Sequence, residues 1–551
     1  MTNSRFLVFG SIVLAVIVCG VLSLVRGPDW YQPFVLLLPL LALGLHDLFQ
    51  RRHAILRNYP IIGHFRFILE SVRPEIRQYF IEGERDALPF AHDQRALVYK
   101  RAKDCNDSQP FGTVLDVAEP GYSWLSHSIS PVTIADPDFR VTVGGPDCKQ
   151  PYSLSVYNIS GTSFGSVSAN AILAFNLGAR LGGFAHDTGE GSISPYHRRH
   201  GGDLIWQIAS GYFGCRTPEG KFDPDRFREQ AADPQVKMIE VKLSQGAKPG
   251  HGGVLPKAKV TAEIAATRGI PMGQDCVSPA GHSAFSTPLE LMDFVRTLRT
   301  LSGGKPIGLK LVVGHRSEVL AMIKAMLETG VTPDFIVVDG SEGGTGAAPQ
   351  ELSDHVGMPL LDGLTFVHNA LIGAGVRERI RLGASGKLLS AFDLSRAFAL
   401  GADYAMAARG FMFAVGCIQA RTCHTNRCPT GIATQDPVRQ RALDVASKSR
   451  RVANFHRNTL EALAGLLGSA GLSGPAELKP GHLHIRHRNG QTLSGAAFYG
   501  TTAPGALLTD EADGELAHDW AEAQAGSFAP VGCGLSRAGA GSARPRNPVR
   551  S

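Results

Sequence analysis

Phe335-Ile336-Val337-Val338-Asp339-Gly340-Ser341-Glu342-Gly343-Gly344-Thr345-Gly346-Ala347 reads as a short β-branched strand that runs straight into a glycine-rich loop. A continuous apolar run of this length suits a strand buried on both faces, the condition of a parallel sheet. Seven further runs fit the same description: residues 153–159, 183–187, 238–243, 270–277, 307–313, 380–382 and 404–408. Helix-period segments lie between several of them, for example 317–329 and 391–400. Eight strand–helix units in sequence predict an α/β fold of the TIM-barrel type, a (β/α)8 barrel, with its chemistry on the loops that follow the strands.

Glycines and polar residues collect on those loops. The glycines of Gly343-Gly344-Thr345-Gly346 let backbone approach an anion closely, and successive amides can point at a phosphate. Phosphate sites in such barrels favour the last two strand-end loops, here Ala384-Ser385-Gly386-Lys387 and Ala408-Arg409-Gly410. Tight turns without a ligand are the plainer reading, and three glycine loops at three strand ends count against it. Lys310 sits inside the strand Gly308-Leu309-Lys310-Leu311-Val312, where an ammonium needs a partner. A flavin ring is one, since its N1/C2 edge becomes anionic on reduction; the rival is a lysine at an exposed strand end. Glu190 and Lys248 fall on neighbouring loops, where a carboxylate can handle protons and an ammonium can hold a substrate carboxylate. Alone, they read equally well as solvated loop charges.

After the eighth strand comes Cys417-Ile418-Gln419-Ala420-Arg421-Thr422-Cys423-His424-Thr425-Asn426-Arg427-Cys428-Pro429, with cysteines at C-x5-C-x4-C. Three thiolates in one short loop suit an iron–sulfur cluster. The rivals are a zinc site completed by His424, against which the missing C-x2-C spacing counts, and three ordinary buried thiols. The other six cysteines are scattered, as in a reducing compartment.

The chain has 551 residues and a net charge of +6. The charge is concentrated: residues 51–103 carry eleven Lys/Arg and six Asp/Glu, directly after an apolar N-terminus. That placement suits a membrane surface rather than nucleic acid. Residues 6–25 and 34–45 are apolar runs separated by Gly27-Pro28-Asp29-Trp30-Tyr31. They predict a two-helix transmembrane hairpin, with Arg51, Arg52 and Arg57 keeping both ends on the cytoplasmic face of the plasma membrane. A signal peptide fits less well, since no small-residue cleavage site is obvious and a second apolar run follows. The expected organisation is a hairpin over 1–50, a basic connecting region over 51–145, the barrel with its cysteine loop over 146–470, and an extension over 471–551. Within that extension 510–524 suits an acidic helix and 539–546 a disordered tail.

Together, segments 158–168, 187–192, 207–211, 241–256, 343–347 and 416–437 resemble the FMN-binding synthase domain of glutamate synthases, in matching order over about 150–455. The most specific pieces are Gln245-Gly246-Ala247-Lys248-Pro249-Gly250 with Gly252-Gly253 and Leu255-Pro256, and Cys423-His424 with Asn426, Cys428-Pro429, Gly431 and Ala433-Thr434-Gln435-Asp436. The resemblance implies an FMN barrel with a [3Fe–4S] cluster that reduces 2-iminoglutarate, formed from 2-oxoglutarate and ammonia. It puts Cys417, Cys423 and Cys428 on the cluster. Ser163, Gln207, Lys310, Gly343, Gly344, Thr345, Gly386, Arg409 and Gly410 fall on or beside FMN positions. Glu190 and Lys248 fall on catalytic positions, and Gln245, Lys248 and Arg268 around the keto acid. Three departures stand out. Ala384-Ser385-Gly386 replaces the family's Asp-Gly-Gly, Val254 replaces a glutamine, and Lys257 replaces a glycine. Neither an N-terminal cysteine glutaminase domain nor a G-x-G-x-x-G fingerprint is recognisable. Ammonia is therefore expected from solution or a partner, and electrons from a ferredoxin-like protein or separate reductase subunit. The alternatives are a related synthase using another amine or keto acid, and a membrane electron-transfer module without amination chemistry.

Overall fold

The computed structural model describes residues 4–50, 53–86, 88–509 and 514–531. The chain divides into two compact units, Met1–Asp93 and Gln94–Ser551.

In the first unit, α1 (Leu7–Arg26) and α2 (Phe34–Phe49) flank a turn at Gly27, whose φ of +106° suits glycine. The helices run antiparallel. A side chain on Gly44 would strike the Phe9 ring at one end of the pair, and Gly20 faces Phe34 at the other. The segments Leu7–Arg26 and Pro28–Phe49, the latter α2 with the turn before it, are apolar and long enough to cross a bilayer. After the short helix Ala54–Asn58 comes a longer one, α3 (Gly63–Ile76). Of the expected basic collar, Arg57 lies in the short helix Ala54–Asn58, while Arg51 and Arg52 lie outside the described residues.

The second unit is built on a closed barrel of eight parallel strands. In order these are β1 (Tyr157–Ile159), β2 (His186–Asp187), β3 (Leu204–Ile208), β4 (Val236–Lys242), β5 (Ile307–Leu311), β6 (Phe335–Asp339), β7 (Arg381–Ser385) and β8 (Tyr404–Ala407). Closure is made by β8 against β1, with Met406 opposite Asn158. β3, β5 and β6 are buried at every residue, as parallel strands under a helical shell must be.

One predicted strand is wrong. In 270–277 the run is broken by Pro271 and Gly273, Met272 and Val277 are each 61% exposed, and only Cys276 is buried, so it has no continuous buried face. Only Cys276–Val277 is extended, paired antiparallel with Val254–Leu255. The missing strand is β3, where Gln207 interrupts the apolar run. The loop at Gln245 therefore follows the fourth strand, not the third. The run 153–159 also divides. Tyr152–Ser155 pairs with Arg140–Val143 in a hairpin, and only Tyr157–Ile159 enters the barrel. Val143 and Leu154 of that hairpin pack with Ala185, Met238, Phe335 and Tyr404 at the amino ends of the strands, so the barrel is plugged below and open above.

Helix α4 (Ala169–Gly182) is capped by Ser168, whose hydroxyl accepts from the Ala171 amide, and ends at Gly183 with φ +68°. It packs on α5 (Val445–Ser469), the helix after the cysteine loop. Gly178 makes this possible, since any side chain there would collide with Val452. A three-stranded sheet joins Ser123–Leu125 to Leu483–Arg486 and Thr492–Ser494, tying the segment before the barrel to the segment after it. The expected acidic helix is present as Gly514–Glu522, with Glu515 and Asp519 paired to Arg316. Its first predicted residues, 510–513, and the tail at 539–546 lie outside the described residues.

Candidate active site at the carboxyl ends of the barrel strands

The open end of the barrel holds a cleft lined largely by polar and charged residues and glycines. Its walls come from the loops after β1, β2, β4 and β6, from the Val254–Leu255 strand, and from Cys423 and His424.

A charged cluster lies at its centre. The Lys242 ammonium, at the end of β4, donates to Glu190 Oε2 at 2.6 Å and to Gln245 Oε1 at 2.8 Å. Lys248 and Arg268 supply two more cations facing Glu190. Burial opposes the charge on Glu190, but Lys242, Lys248 and Arg268 outweigh it and bring its carboxyl down to about 2. Glu190 is thus a fixed anion. Burial draws Lys248 below the usual lysine range, and Glu190 only partly restores it. Arg268 is buried. Its Nη2 donates to the Phe164 carbonyl at 3.0 Å, while its Nε has no partner within the protein. Gly253 lies so close to the Glu190 carboxylate that no side chain fits there.

Beneath the cleft the barrel interior is polar. Gln207 Nε2 donates to Glu240 Oε1 at 2.7 Å and to Asp187 Oδ2 at 3.2 Å. Asp339 Oδ2 accepts from the Gly246 amide at 2.8 Å. The Lys310 ammonium donates to Ser160 Oγ at 3.1 Å. Burial works against the charge of Lys310, yet Glu240, Asp339 and Asp187 hold it above the usual lysine range. Burial pushes Asp187 up against the pull of Lys310. Burial and the neighbouring Asp187 charge push Glu240 up to about 8. Three acids around one lysine favour keeping a proton on the group, and Glu240 is its natural holder near neutrality.

The three glycine loops pack against one another, and of them the loop after β6 lines the cleft. The Gly340 amide donates to the Ser385 carbonyl at 2.7 Å, joining the loop after β6 to the end of β7. Arg409 Nη2 donates to the Glu342 carbonyl at 2.6 Å, and a Cβ on Gly344 would lie 2.7 Å from Arg409 Nε. Gly386 takes φ +149°, and a Cβ there would sit 3.4 Å from the Gly340 amide. Ser163, Gln207, Gly344 and Thr345 reach the cleft. Gly343 packs on Asp339 and Gly340 just behind it. Gly410 does not reach it: it is buried in helix Arg409–Ala414, against Leu389 and the Tyr157 hydroxyl. Bare backbone at one wall, with Lys310 below, fits a planar phosphate-bearing cofactor.

Cys423 opens onto the same cleft. Burial, with a smaller push from Cys423 and Cys428, raises the Cys417 thiol to about 12. Burial opposes ionisation of Cys428, but the Thr430 hydroxyl and the amides of Ala433, Thr430 and Ile432 hold it below the usual thiol range. The Gln419 amide points at Cys417 Sγ from 3.5 Å. Amides aimed at sulfur suit a thiolate-bound cluster. Among the described residues no group of three or more His, Cys, Asp and Glu side chains converges on a single point. In a cluster each cysteine binds a different iron, so convergence on one ion is not required. The motif braces itself: Asn426 Oδ1 accepts from the Gln435 amide at 2.6 Å, and Gln435 Nε2 donates to Val167 O at 2.9 Å. Lys259 links this loop to the cleft, donating to Ser166 O at 2.7 Å and Cys423 O at 3.3 Å.

Sequence reading missed Asp187, Glu240, Lys242, Lys259 and Asp339. The argument applied to Lys310, that a charge within a buried parallel strand needs a partner, applies equally to Glu240, Lys242 and Asp339. Lys259 carried no such signal, since its burial comes from the cysteine loop folding back on it.

A family profile described as the conserved region in glutamate synthase matches residues 147–473. The glutamate synthase large subunit-like protein YerD of Bacillus subtilis (strain 168) is 37% identical over 485 residues, covering 81% of this chain and 92% of its own. The archaeal glutamate synthase [NADPH] of Methanocaldococcus jannaschii is 36% identical over 60% of this chain, which spans 61% of that relative's length. The flavin-binding domain of baker's yeast flavocytochrome b2 covers 82% of this chain and 91% of its own at 12% identity, with a TM-score of 0.39. The profile and these relatives lead to one conclusion: the chain belongs to the glutamate synthase family and is an enzyme, an oxidoreductase of the class acting on CH–NH2 donors.

Proposed function

We propose that the cleft binds 2-oxoglutarate with ammonia and reduces the resulting 2-iminoglutarate to glutamate. One observation carries this reading: Glu190, Lys242, Gln245, Lys248 and Arg268 form one charged cluster in the same cleft as the bare glycine wall and Cys423. Lys248 and Arg268 would hold the carboxylates of a dicarboxylic keto acid. Glu190, ionised at every working pH, suits accepting hydrogen bonds from the imine nitrogen better than donating a proton. Lys248, with its ammonium destabilised by burial, is the better proton source.

Ser163, Gln207, Lys310, Gly343, Gly344, Thr345, Gly386 and Arg409 would hold FMN, with Gly410 shaping the helix start behind them. Cys417, Cys423 and Cys428 would hold a [3Fe–4S] cluster. Bound there, FMN would supply the hydride and the cluster the electrons. Lys310 favours negative charge at the barrel centre. The electron donor would be a separate protein or subunit. The α1–α2 hairpin would hold the enzyme at the cytoplasmic face of the membrane, with 51–145 as a basic connecting region, the catalytic barrel over 146–470 and 471–551 as an extension.

Stopped-flow reoxidation of the reduced enzyme by 2-oxoglutarate plus ammonium tests the reading, and glutamate is the expected product. Failure at every ammonium concentration would overturn it. Val254 favours a second reading, another keto acid or amine, because an apolar side chain lines the cleft beside Glu190 where the family resemblance calls for glutamine. Reoxidation by such a substrate, and not by 2-oxoglutarate with ammonium, would select it.

A further inference from the structure

The segment following the hairpin carries an apolar face that no described residue of its own unit covers. Along α3, Phe65, Ile68, Leu69, Val72 and Ile76 recur at spacings of three and four, which puts them on one side of the helix. Phe65, Ile68 and Leu69 are 64%, 56% and 59% exposed. The face continues past the helix end through Tyr79 and Phe80, both exposed. Along one flank of this face run Arg66, Glu70, Arg73 and Arg77, with Arg73 paired to Glu70 at 3.3 Å. Phe67 departs from the pattern and is accounted for: its ring meets His53 edge-on at 5.4 Å.

The start of α3 is fixed in place. Asp47, in the last turn of α2 and fully buried, accepts from the Ile61 amide at 2.9 Å and bonds His64 Nε2 at 3.0 Å. Arg5, just before α1, reaches Asn58 at 3.3 Å. These contacts gather the beginning of α1, the end of α2 and the beginning of α3 at one end of the hairpin.

We infer that α3 lies in the plane of the membrane surface, its apolar face sunk into the boundary between headgroups and acyl chains. This rests on the reading of α1 and α2 as a bilayer-crossing hairpin. The end of such a hairpin sits at headgroup level, and Asp47 and His64 tether α3 there. Its charged flank bars it from the hydrocarbon, and its apolar face bars it from water. A helix with both lies in the interface. Arg66 and Arg73 flank the apolar face, where their stems can extend along it and their guanidinium groups meet lipid phosphates. The occupant of the face is thus lipid, continuous with the lipid around the hairpin.

The test uses the full-length protein in vesicles of phosphatidylcholine and phosphatidylglycerol with bromine at shallow or deep acyl positions. Single variants Phe65→Trp, Leu69→Trp, Ser71→Trp and Val18→Trp are read by tryptophan quenching against the unsubstituted protein. Tryptophan at 65 and 69 should be quenched by shallow bromine more than deep, at 71 by neither, and at 18 in α1 by deep bromine. Quenching at 18 with none at 65 or 69 would overturn the inference while leaving the anchor standing; blue-shifted emission at 65 and 69 in that case would show that protein covers the face. Deep quenching at 65 and 69 would overturn it too, by showing insertion. No quenching at 18 would defeat the hairpin reading itself, and the inference with it.

Discussion

Replacing Lys242 by methionine takes away the cation closest to Glu190 while keeping much of the side chain's volume. The interaction can be sized from the structure. The Glu190 carboxyl falls from 4.5 to about 2, and at 1.36 kcal/mol per pKa unit this is about 3 kcal/mol of net stabilisation of the anion. Both side chains are largely buried, at 9% and 15% exposure, so solvent screens little of it. Breaking a buried pair costs about 3–5 kcal/mol when the remaining charge is uncompensated. Lys248 and Arg268 still face Glu190, so about 2 kcal/mol is expected for Lys242→Met. The pH dependence has a definite sign. A depressed carboxylate pKa contributes stability that is full above 4.5 and lost as pH falls through about 2. The gap between wild type and variant should therefore be widest at neutral pH and narrow as the solution is acidified below 4.5. Urea unfolding followed by Trp206, which is fully buried in β3, measures it. Adding Glu190→Gln to Lys242→Met removes the stranded charge and should recover most of the loss. A double variant as unstable as the sum of the two singles, or a gap that widens in acid, would refute the electrostatic account.

Lys248→Met should raise the 2-oxoglutarate requirement about 10- to 100-fold, the loss of one charge-assisted contact of roughly 1.5–3 kcal/mol, with the flavin spectrum unchanged; steady-state kinetics and absorbance check both. Cys423→Ser should lose iron and keep flavin, by metal analysis and absorbance of anaerobically purified protein. Gly344→Ala, whose new methyl group would press on Arg409, should weaken FMN binding about tenfold or more, for an overpacking cost of roughly 1–3 kcal/mol, as measured by fluorescence titration of the apoprotein.

The barrel was legible because its strands are buried on both sides and so read as unbroken apolar runs. The exception is instructive. β3 contains Gln207, and a polar residue in a five-residue run weakens the very signal that identifies such a strand. Residues 270–277 carried the signal without the structure, since composition does not report which faces meet a partner. The glycine loops were legible for a different reason: their backbone conformations and close approaches admit little else, as Gly386 and Gly344 show. The charged cluster was half legible. Glu190 and Lys248 were noticed as loop charges and, with Arg268, were given roles through the family resemblance, whereas Lys242, which donates to Glu190 at 2.6 Å, was passed over as part of a strand.

The two failures have one physical origin. A TIM barrel is ordinarily filled by bulky apolar side chains, and sequence reading looks for that filling. Here the upper interior is filled by Asp187, Gln207, Glu240, Lys242, Lys310 and Asp339, each at or near the carboxyl end of its strand. Below them the interior returns to Ala185, Met238, Phe335 and Tyr404, the layer that meets the hairpin plug. The boundary between the layers falls within single strands: β4 passes from Met238 to Glu240 and Lys242, and β6 from Phe335 to Asp339. Each strand is apolar where it must hold the barrel together and charged where it must meet a ligand. A polar residue that interrupts a buried strand is therefore a marker of its functional end, provided its position along the strand is considered together with its character. By that criterion Gln207, fourth of five residues in β3, identifies both the missed strand and the direction in which it points.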